Sequence, residues 1–357
     1  MELIPAVAPP RERLARLVER LPGHTAVVWG DFVLDEYWRC LTRRVSREAP
    51  VMVLEYQERQ VQAGGAANTA LNLAALGARV RVVGWVGADS AGHELRRMLE
   101  DAGVDTDGLL EHDHAPTVVK TRVVAGSVHT ALQQVLRVDR GVRFGLGAGA
   151  RPRLIATARR IAGDADAIVL SDYGYDAVTP ALATPLVRAW RRRGSVVSVD
   201  ARHRLAGYRG ISLATPNESE AAEAAGIDIE QVADLARAAT RLQRITRVEH
   251  LLITRGRDGL TLWDGRRGRD LAAWGGREAV DVTGAGDAVV ATATLALAAG
   301  ARPLDAAALA NVAGSIAVSR RGAVAVGWSS LRAAISSRTT ATAVGRSATR
   351  ARRKIRR

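Results

Sequence analysis

Cysteine is nearly absent from this 357-residue chain, Cys40 being the single one. One thiol closes no intramolecular disulfide and builds no cysteine zinc site, which points to a reducing compartment or to indifference about compartment. No run approaches eighteen apolar residues free of polar interruption, so a membrane span is not expected. The first ten residues hold Glu2 and three prolines, and RERLARLVERL (11–21) reads as a charged amphipathic helix rather than the apolar centre of an export signal. The expected location is cytoplasmic. Internal repeats are missing, as are a Walker-type GKS/T and an opening GxGxxG. Apolar mass is present in ordinary amount, 47% of residues, which excludes global disorder and suits one large α/β domain or two modest ones.

Acidic residues are in shorter supply than basic ones, 37 against 51, for a net charge of +14. Such an excess would suit a nucleic acid or an anionic membrane, but it is unevenly spread. Residues 338–357 carry eight basic side chains (Arg338, Arg346, Arg350, Arg352, Arg353, Lys354, Arg356 and Arg357) and no acid, so +6 remains for everything before them. Rich in Ser, Thr and Ala and without an apolar period, residues 336–357 read as a disordered or loosely helical tail, either a solubilising terminus or a contact to nucleic acid or membrane.

Ahead of the tail, short β-branched runs alternate with helical periods, as βαβ units require. TAVVWGD (25–31), ARVRVVGWVG (78–87), DAIVLSDY (166–173), SVVSVDAR (195–202), ISLATPN (211–217) and HLLITRG (250–256) read as strands with their turns. NTALNLAALG (68–77), HELRRMLEDAG (93–103) and AVVATATLALAAG (288–300) read as helices, with Gly77 and Gly103 as C-terminal caps. The expected fold is α/β: a mostly parallel, doubly wound sheet flanked by helices, whose site lies at the carboxyl ends of the strands. Residues 37–61 and 117–140 break the alternation with period-two character and are expected to form a small β appendage. Residues 1–24 are expected to be a helical extension, and the stretch around Gly145 a glycine-rich loop.

Small residues in DVTGAGDA (281–288) stand immediately before the apolar helix, where unpaired amides and the positive end of the dipole receive an anion. Asp287 among them is expected to stay ionised and to accept a proton from an attacking hydroxyl, while the amides of Ala285, Gly286 and Asp287 offset charge on a transferring phosphoryl group. Packing or capping is the plainer reading of that stretch taken alone. A second glycine turn, AGGAAN (63–68), precedes another helix, and Asp31 and Asp35 follow the first strand, where carboxylates and amides suit a hydroxyl-rich ligand. Asn217 and Glu220 in TPNESE could organise a hydrated Mg²⁺; an N-cap with first-turn acids is equally consistent with that spacing.

In order along the chain, GD after the first strand, AGGAAN, NESE, TRGRDG (254–259) and DVTGAGD resemble the signatures of the ribokinase-like (PfkB) carbohydrate kinases, over about 25–330. The resemblance implies a kinase domain at 25–335 with the β appendage as a lid. It implies Asp287 as catalytic base, Gly284, Ala285 and Gly286 as anion hole, and Asn217 and Glu220 for Mg²⁺ and phosphate. Thr254, Gly256, Gly259 and Asn311 would line the ATP pocket. Asp281, Thr283, Arg320 and Gly322 would surround a monovalent cation, K⁺.

Within that family the chain resembles the heptose-7-phosphate kinases, the kinase half of bifunctional heptose kinase and adenylyltransferase proteins. GDFVLDEYW (30–38), RRVSREAPV (43–51), TVVKTRVV (117–124), LRVDR (136–140) and LSDYGYDAVT (170–179) carry this likeness. It implies phosphorylation of the anomeric hydroxyl of D-glycero-D-manno-heptose 7-phosphate. Asp31, Asp35, Gly64, Gly65 and Asn68 would hold the sugar, and Arg44, Lys120, Arg122 and Arg137 are candidates for its phosphate, each of which could equally be a solvated strand charge. A homodimer through the lid is implied, with no membrane partner. Two positions depart from the pattern: Asp200-Ala201-Arg202 stands for the usual Asp-Pro-Lys, and Tyr175 where the subgroup tends to carry Lys. No His follows His250, so an HxGH nucleotidyl-transfer motif is missing and the chain is expected to be kinase only. Another sugar or nucleoside kinase of the family, or a nucleic-acid-binding protein acting through the tail, are the competing readings.

Overall fold

The computed structural model describes residues 3–126, 132–141, 149–265, 267–275, 280–320 and 322–337; the basic tail from residue 338 and most of the glycine-rich stretch around Gly145 lie outside the described residues. The chain enters through β1 (Leu3–Pro5) and α1 (Arg11–Val18) before β2 (Thr25–Gly30). The apolar run of β2 divides by its period of two, Ala26 and Val28 facing one core cluster and Val27 and Trp29 the other. Burial on both faces is what helices on both sides of a parallel sheet demand.

From β2 the backbone continues into β3 (Phe32–Val45), which returns as β4 (Met52–Gly65). Next come α2 (Ala66–Ala75), β5 (Arg79–Gly87), α3 (Ser90–Asp101), β6 (Leu109–His112), β7 (Val118–Gly126) and β8 (Gln133–Arg140). The second half alternates α4 (Ala150–Ile161), β9 (Ala167–Asp172), α5 (Pro180–Arg192), β10 (Val196–Ala201), β11 (Leu213–Ala214), α6 (Glu218–Ala225), α7 (Val232–Thr246) and β12 (His250–Thr254). After β13 (Leu260–Trp263) and β14 (Gly268–Leu271) the chain ends its described course in α8 (Ala285–Ala298), α9 (Pro303–Val318) and α10 (Trp328–Ser336).

Ten strands form one sheet in the order β1-β14-β13-β12-β11-β10-β9-β2-β5-β6, parallel between neighbours except at β13. Strand order reverses between β2 and β9, with β5 and β6 extending one way and β10 to β12 the other, so a crevice opens at their carboxyl ends. One core cluster packs α1, α2, α3, α8, α9 and α10 on one face, and the other packs α4 to α7 on the opposite face, with Trp29 edge-on to Trp190 at 6.2 Å. The expected N-terminal extension is part of this body. β1 pairs with β14, and the stripe Leu14, Leu17, Val18 and Leu21 is buried, because an apolar face at helical spacing needs something to pack against. No helix among the described residues is long and apolar enough to cross a membrane.

The expected β appendage is a separate four-stranded sheet, β4-β3-β7-β8. Its strands begin earlier than the period-two pattern suggests, since Phe32, Val33 and Leu34 still sit in the core. Register gives the sheet two unlike faces. In-register neighbours share a face, so Asp35, Lys120 and Asp139, with Tyr37, Arg122 and Arg137, form a charged side. Trp38, Val123 and Leu136, with Cys40, Ala125 and Tyr56, lie on the other side, apolar towards its outer end and polar near the body, where Glu36 holds Thr121 and Arg59.

Candidate active site

Asp287 opens the first turn of α8, and its carboxylate is 4% exposed. Oδ2 accepts from Asn68 Nδ2 at 2.7 Å, and Oδ1 accepts from Thr69 Oγ1 and from Tyr173 Oη, each at 3.0 Å. Burial pushes this carboxyl above its ordinary value although all three donors pull it down. The donors favour the ionised form that the sequence led one to expect, while burial opposes it and makes the carboxylate a stronger base. Gly284 caps the helix at φ +76°, where an added Cβ would meet Asn68 Nδ2 at 2.6 Å. The amide of Ala285 bonds Val282 O at 3.3 Å, so the outward donors of this turn are those of Gly286 and Asp287. Asn68, expected on the sugar, is engaged at both ends, since its Oδ1 also accepts from Asn72 Nδ2 at 3.3 Å.

A tightly held loop after β9 brings Tyr173 to this carboxylate. Asp31, 2% exposed, accepts the amides of Tyr173, Tyr175 and Ala177 at 2.8, 3.0 and 2.9 Å. Trp29 Nε1 donates to Ala177 O at 2.8 Å, and Arg204 bridges Asp172 and Asp176. Desolvation pushes Asp31 up to about 7 against the pull of those amides, with Asp172 adding to the rise. Asp31, expected on a sugar hydroxyl, uses three of its four acceptor sites to hold the backbone of this loop.

The ring of Tyr173 also carries cations. Lys120, 5% exposed, stands 5.3 Å from the Tyr173 ring centre and 5.5 Å from that of Tyr175, and the Arg202 guanidinium is 4.7 Å over Tyr173. Burial and the nearby Arg202 lower Lys120 to about 8, partly offset by Asp35 and Asp139. Arg122 pairs with Asp35 at 2.7 Å and stacks on Tyr37 at 5.3 Å. Gly64 lets that carboxylate approach, since a Cβ there would lie 2.6 Å from Asp35 Oδ2; Gly65, at φ +58°, passes equally close to Asp31 O. Arg137 shares the charged face but is exposed and paired with Asp139 at 2.9 Å. Arg44 does not join the group. Nine residues beyond Asp35 on an extended strand, it is about 30 Å away at the exposed end of the lid.

The cleft, about 540 Å³, runs from Arg122, Tyr173 and Asp287 along the start of α8 to Thr254, Gly256, Gly259 and Asn311. Asn217 and Glu220 line it while forming a reciprocal capping box, Asn217 Oδ1 accepting from Glu220 N at 2.8 Å and Glu220 Oε2 from Asn217 N at 2.9 Å. The capping reading of that pair is seen directly, and both capping residues also line the cleft. Burial raises the Glu220 carboxyl, and burial with Asp287 and Glu220 nearby raises Asp200 well above the ordinary range. Gly259 is required by the backbone, since a Cβ would sit 2.1 Å from Leu271 O. Asn311 donates to Ala272 O at 2.7 Å. Asp281 accepts the amides of Thr283 and Gly322 at 2.9 Å each, whereas the Arg320 side chain turns to Ser330 Oγ at 3.1 Å. Among the described residues no group of three or more His, Cys, Asp or Glu side chains is arranged to hold a metal.

Thr69 and Tyr173 are the site residues that sequence reasoning missed. Thr69 follows AGGAAN directly, and Tyr173 follows Asp172 at the end of β9, where strand-end polar groups of the switch point are the general signal.

Fold and cleft together define a ribokinase-like α/β phosphotransferase. Escherichia coli phosphofructokinase-2 in complex with potassium superposes with a TM-score of 0.71 at 19% identity, over 87% of this chain and 98% of that one. Arabidopsis thaliana ribokinase complexed with ribose and ATP gives 0.67 at 20%, over 88% and 99%. The sequence profile of the pfkB family carbohydrate kinases matches residues 26–329, and the chain belongs to that family: it is a sugar kinase. Curated relatives include the bifunctional protein HldE of Citrifermentans bemidjiense, 39% identical over 313 residues covering 87% of this chain, and that of Geobacter metallireducens, 41% identical over 310 residues covering 85%. The chain spans 63% and 62% of the length of these two relatives.

Proposed function

We propose that the chain transfers the γ-phosphoryl group of ATP to the anomeric hydroxyl of D-glycero-D-manno-heptose 7-phosphate, yielding the 1,7-bisphosphate and ADP. One observation carries this reading. Tyr173 joins a buried carboxylate at a helix start, which its hydroxyl meets, to the cations Lys120 and Arg202 over its ring, with Arg122 lining the same cleft; the carboxylate suits a hydroxyl and the cations a phosphate already on the substrate. Both positions where the sequence departs from its subgroup lie beside this group, Arg202 over the Tyr173 ring and Tyr175 under Lys120.

Asp287 takes the proton of the attacking hydroxyl, the new O–P bond forms at the γ-phosphorus, and the bond to the β-phosphate oxygen breaks. The Gly286 and Asp287 amides face the transferring group. ATP would lie along the Thr254, Gly256, Gly259 and Asn311 end of the cleft. The acids at that end, Glu220 and Asp200, fit a Mg²⁺ held mainly by phosphates and water, since no protein cage is present among the described residues. Bound there, Mg²⁺ would neutralise phosphate charge. A K⁺ ion beside Asp281 would draw on backbone carbonyls, because both carboxylate oxygens already accept amides. The apolar face of the lid supports a homodimer.

A substrate panel tests the reading. ADP release with heptose 7-phosphate is expected to exceed that with the unphosphorylated heptose, ribose, fructose 6-phosphate or adenosine. Asp287→Asn is expected to lose about 10²–10⁴-fold in kcat, the usual share of a general base. Turnover of an unphosphorylated sugar alone would sink the proposal.

A further inference from the structure

We propose that Tyr173 is the positioning residue of the transfer, closing Oδ1 of Asp287 so that the hydroxyl proton is taken by Oδ2. The inference rests on the reading of Asp287 as the base and goes beyond it by assigning the oxygen and the residue that selects it. A carboxylate oxygen has two in-plane lone pairs. On Oδ1 both are used, by Thr69 Oγ1 and Tyr173 Oη at 3.0 Å each; on Oδ2 one is used, by Asn68 Nδ2 at 2.7 Å. The free lone pair is therefore on Oδ2. During transfer the sugar O–H bond breaks, its proton passes to Oδ2 of Asp287, and the oxygen left behind forms the bond to phosphorus. The phenol keeps its own proton throughout, since desolvation and the adjacent carboxylates hold it well above its ordinary value.

The loop that carries Tyr173 is fixed beyond what packing alone demands. Its amides are anchored on Asp31, its far end on Trp29 Nε1, and the Asp172–Arg204–Asp176 bridge closes it from outside. A phenol whose backbone is so held presents its hydroxyl to Oδ1 without reorganisation, which is what a donor to a reacting group needs. The charged and titratable groups around Asp287 are Tyr173 from this loop, Asp35 from β3, and Asp200 with Arg202 from the end of β10; α2 contributes the neutral Asn68 and Thr69. Tyr173 is the one among them that both donates to the carboxylate and carries the cations Lys120 and Arg202 on its ring.

Tyr173→Phe keeps the ring and removes the hydroxyl. The expected result with heptose 7-phosphate and ATP is a fall in kcat of about 10- to 100-fold, as for a lost hydrogen bond to a charged group. KM for ATP should stay unchanged. Losing a donor to the ionised carboxylate raises its pKa, so the acid limb of the kcat/KM profile should move to higher pH by about one unit. Thr69→Val removes the other donor on Oδ1 and should move that limb the same way. A merely structural tyrosine would lower thermal stability and leave the limb in place. Acid limbs of Tyr173→Phe that coincide with wild type overturn the proposal. Asp287→Asn, run alongside, keeps the two readings apart: full turnover in that variant overturns the assignment of the base itself, whereas an inactive Asp287→Asn with an unshifted Tyr173→Phe overturns only the role of Tyr173.

Discussion

Lys120 is one of only two lysines in a chain whose other 49 permanent cations are arginines. An ammonium is a compact point charge whose pKa moves on burial, whereas a guanidinium is planar and always charged. Buried on the charged face of the lid and lowered to about 8, Lys120 titrates within reach of a working pH. A phosphate dianion binds the protonated form, so affinity for the sugar phosphate should be complete below pH 8 and decline as pH rises through it. The expected measurement is KM for heptose 7-phosphate rising by up to about tenfold per pH unit above 8, with KM for ATP level. Lys120→Met should start from a higher KM and show no such rise. A wild-type KM flat to pH 9.5 would remove Lys120 from the phosphate site.

Elements, rather than single residues, decide what a sequence makes visible. The start of α8 is legible only in company, since packing or capping explains its small residues taken alone and the ordered motifs before it turn the reading towards an anion site; the structure adds why Gly284 is among them. At φ +76° any side chain is strained by about 1–2 kcal/mol, and a Cβ would also press on the Asn68 amide that holds Asp287. Gly284→Ala is expected to lower unfolding free energy by that amount in urea titrations and to reduce kcat without a matching change in KM for ATP. Wild-type turnover in this variant would mean that the Asn68 contact is dispensable. The alternating runs likewise announce the parallel strands, since strands buried on both faces leave long β-branched stretches. What could not be read is where side chains from distant elements converge. Asp31 looks like a ligand-facing acid at a strand end, yet it is enclosed by amides from a loop some 142 residues away. Tyr173 looks like packing until its hydroxyl meets α8. Arg44 is basic and near the right motif, but a strand carries it out to the end of the lid, a consequence of length that spacing alone does not show.

Among the described residues the lid presents large apolar side chains that nothing covers. Its charged face reaches the cleft through Arg122, but on its other face Trp38, Tyr56, Leu136 and Val138 are 41, 56, 57 and 44% exposed. Trp38 and Tyr56 meet edge-on at 6.4 Å, and only a small cluster of Cys40, Val123 and Ala125, with Leu54 against it, is buried beneath them. An isolated four-stranded sheet with an open apolar face is weakly supported by so little core, and clustered exposed apolar side chains mark an interaction surface. Pairing with the same face of a second copy would give a closed two-fold contact, in which two sheets share one core. Because β3 and β7 of the lid carry Asp35, Lys120 and Arg122 on their other face, loosening the sheet would also loosen the pocket proposed for the sugar phosphate. Leu136→Asp is therefore expected to convert a dimer to a monomer in analytical ultracentrifugation at micromolar concentration and to raise KM for heptose 7-phosphate, with KM for ATP little altered because its end of the cleft belongs to the main sheet. A wild-type protein that sediments as a monomer at those concentrations, or a monomeric Leu136→Asp variant with unchanged KM for the sugar phosphate, would break the link between the dimer face and the pocket behind it.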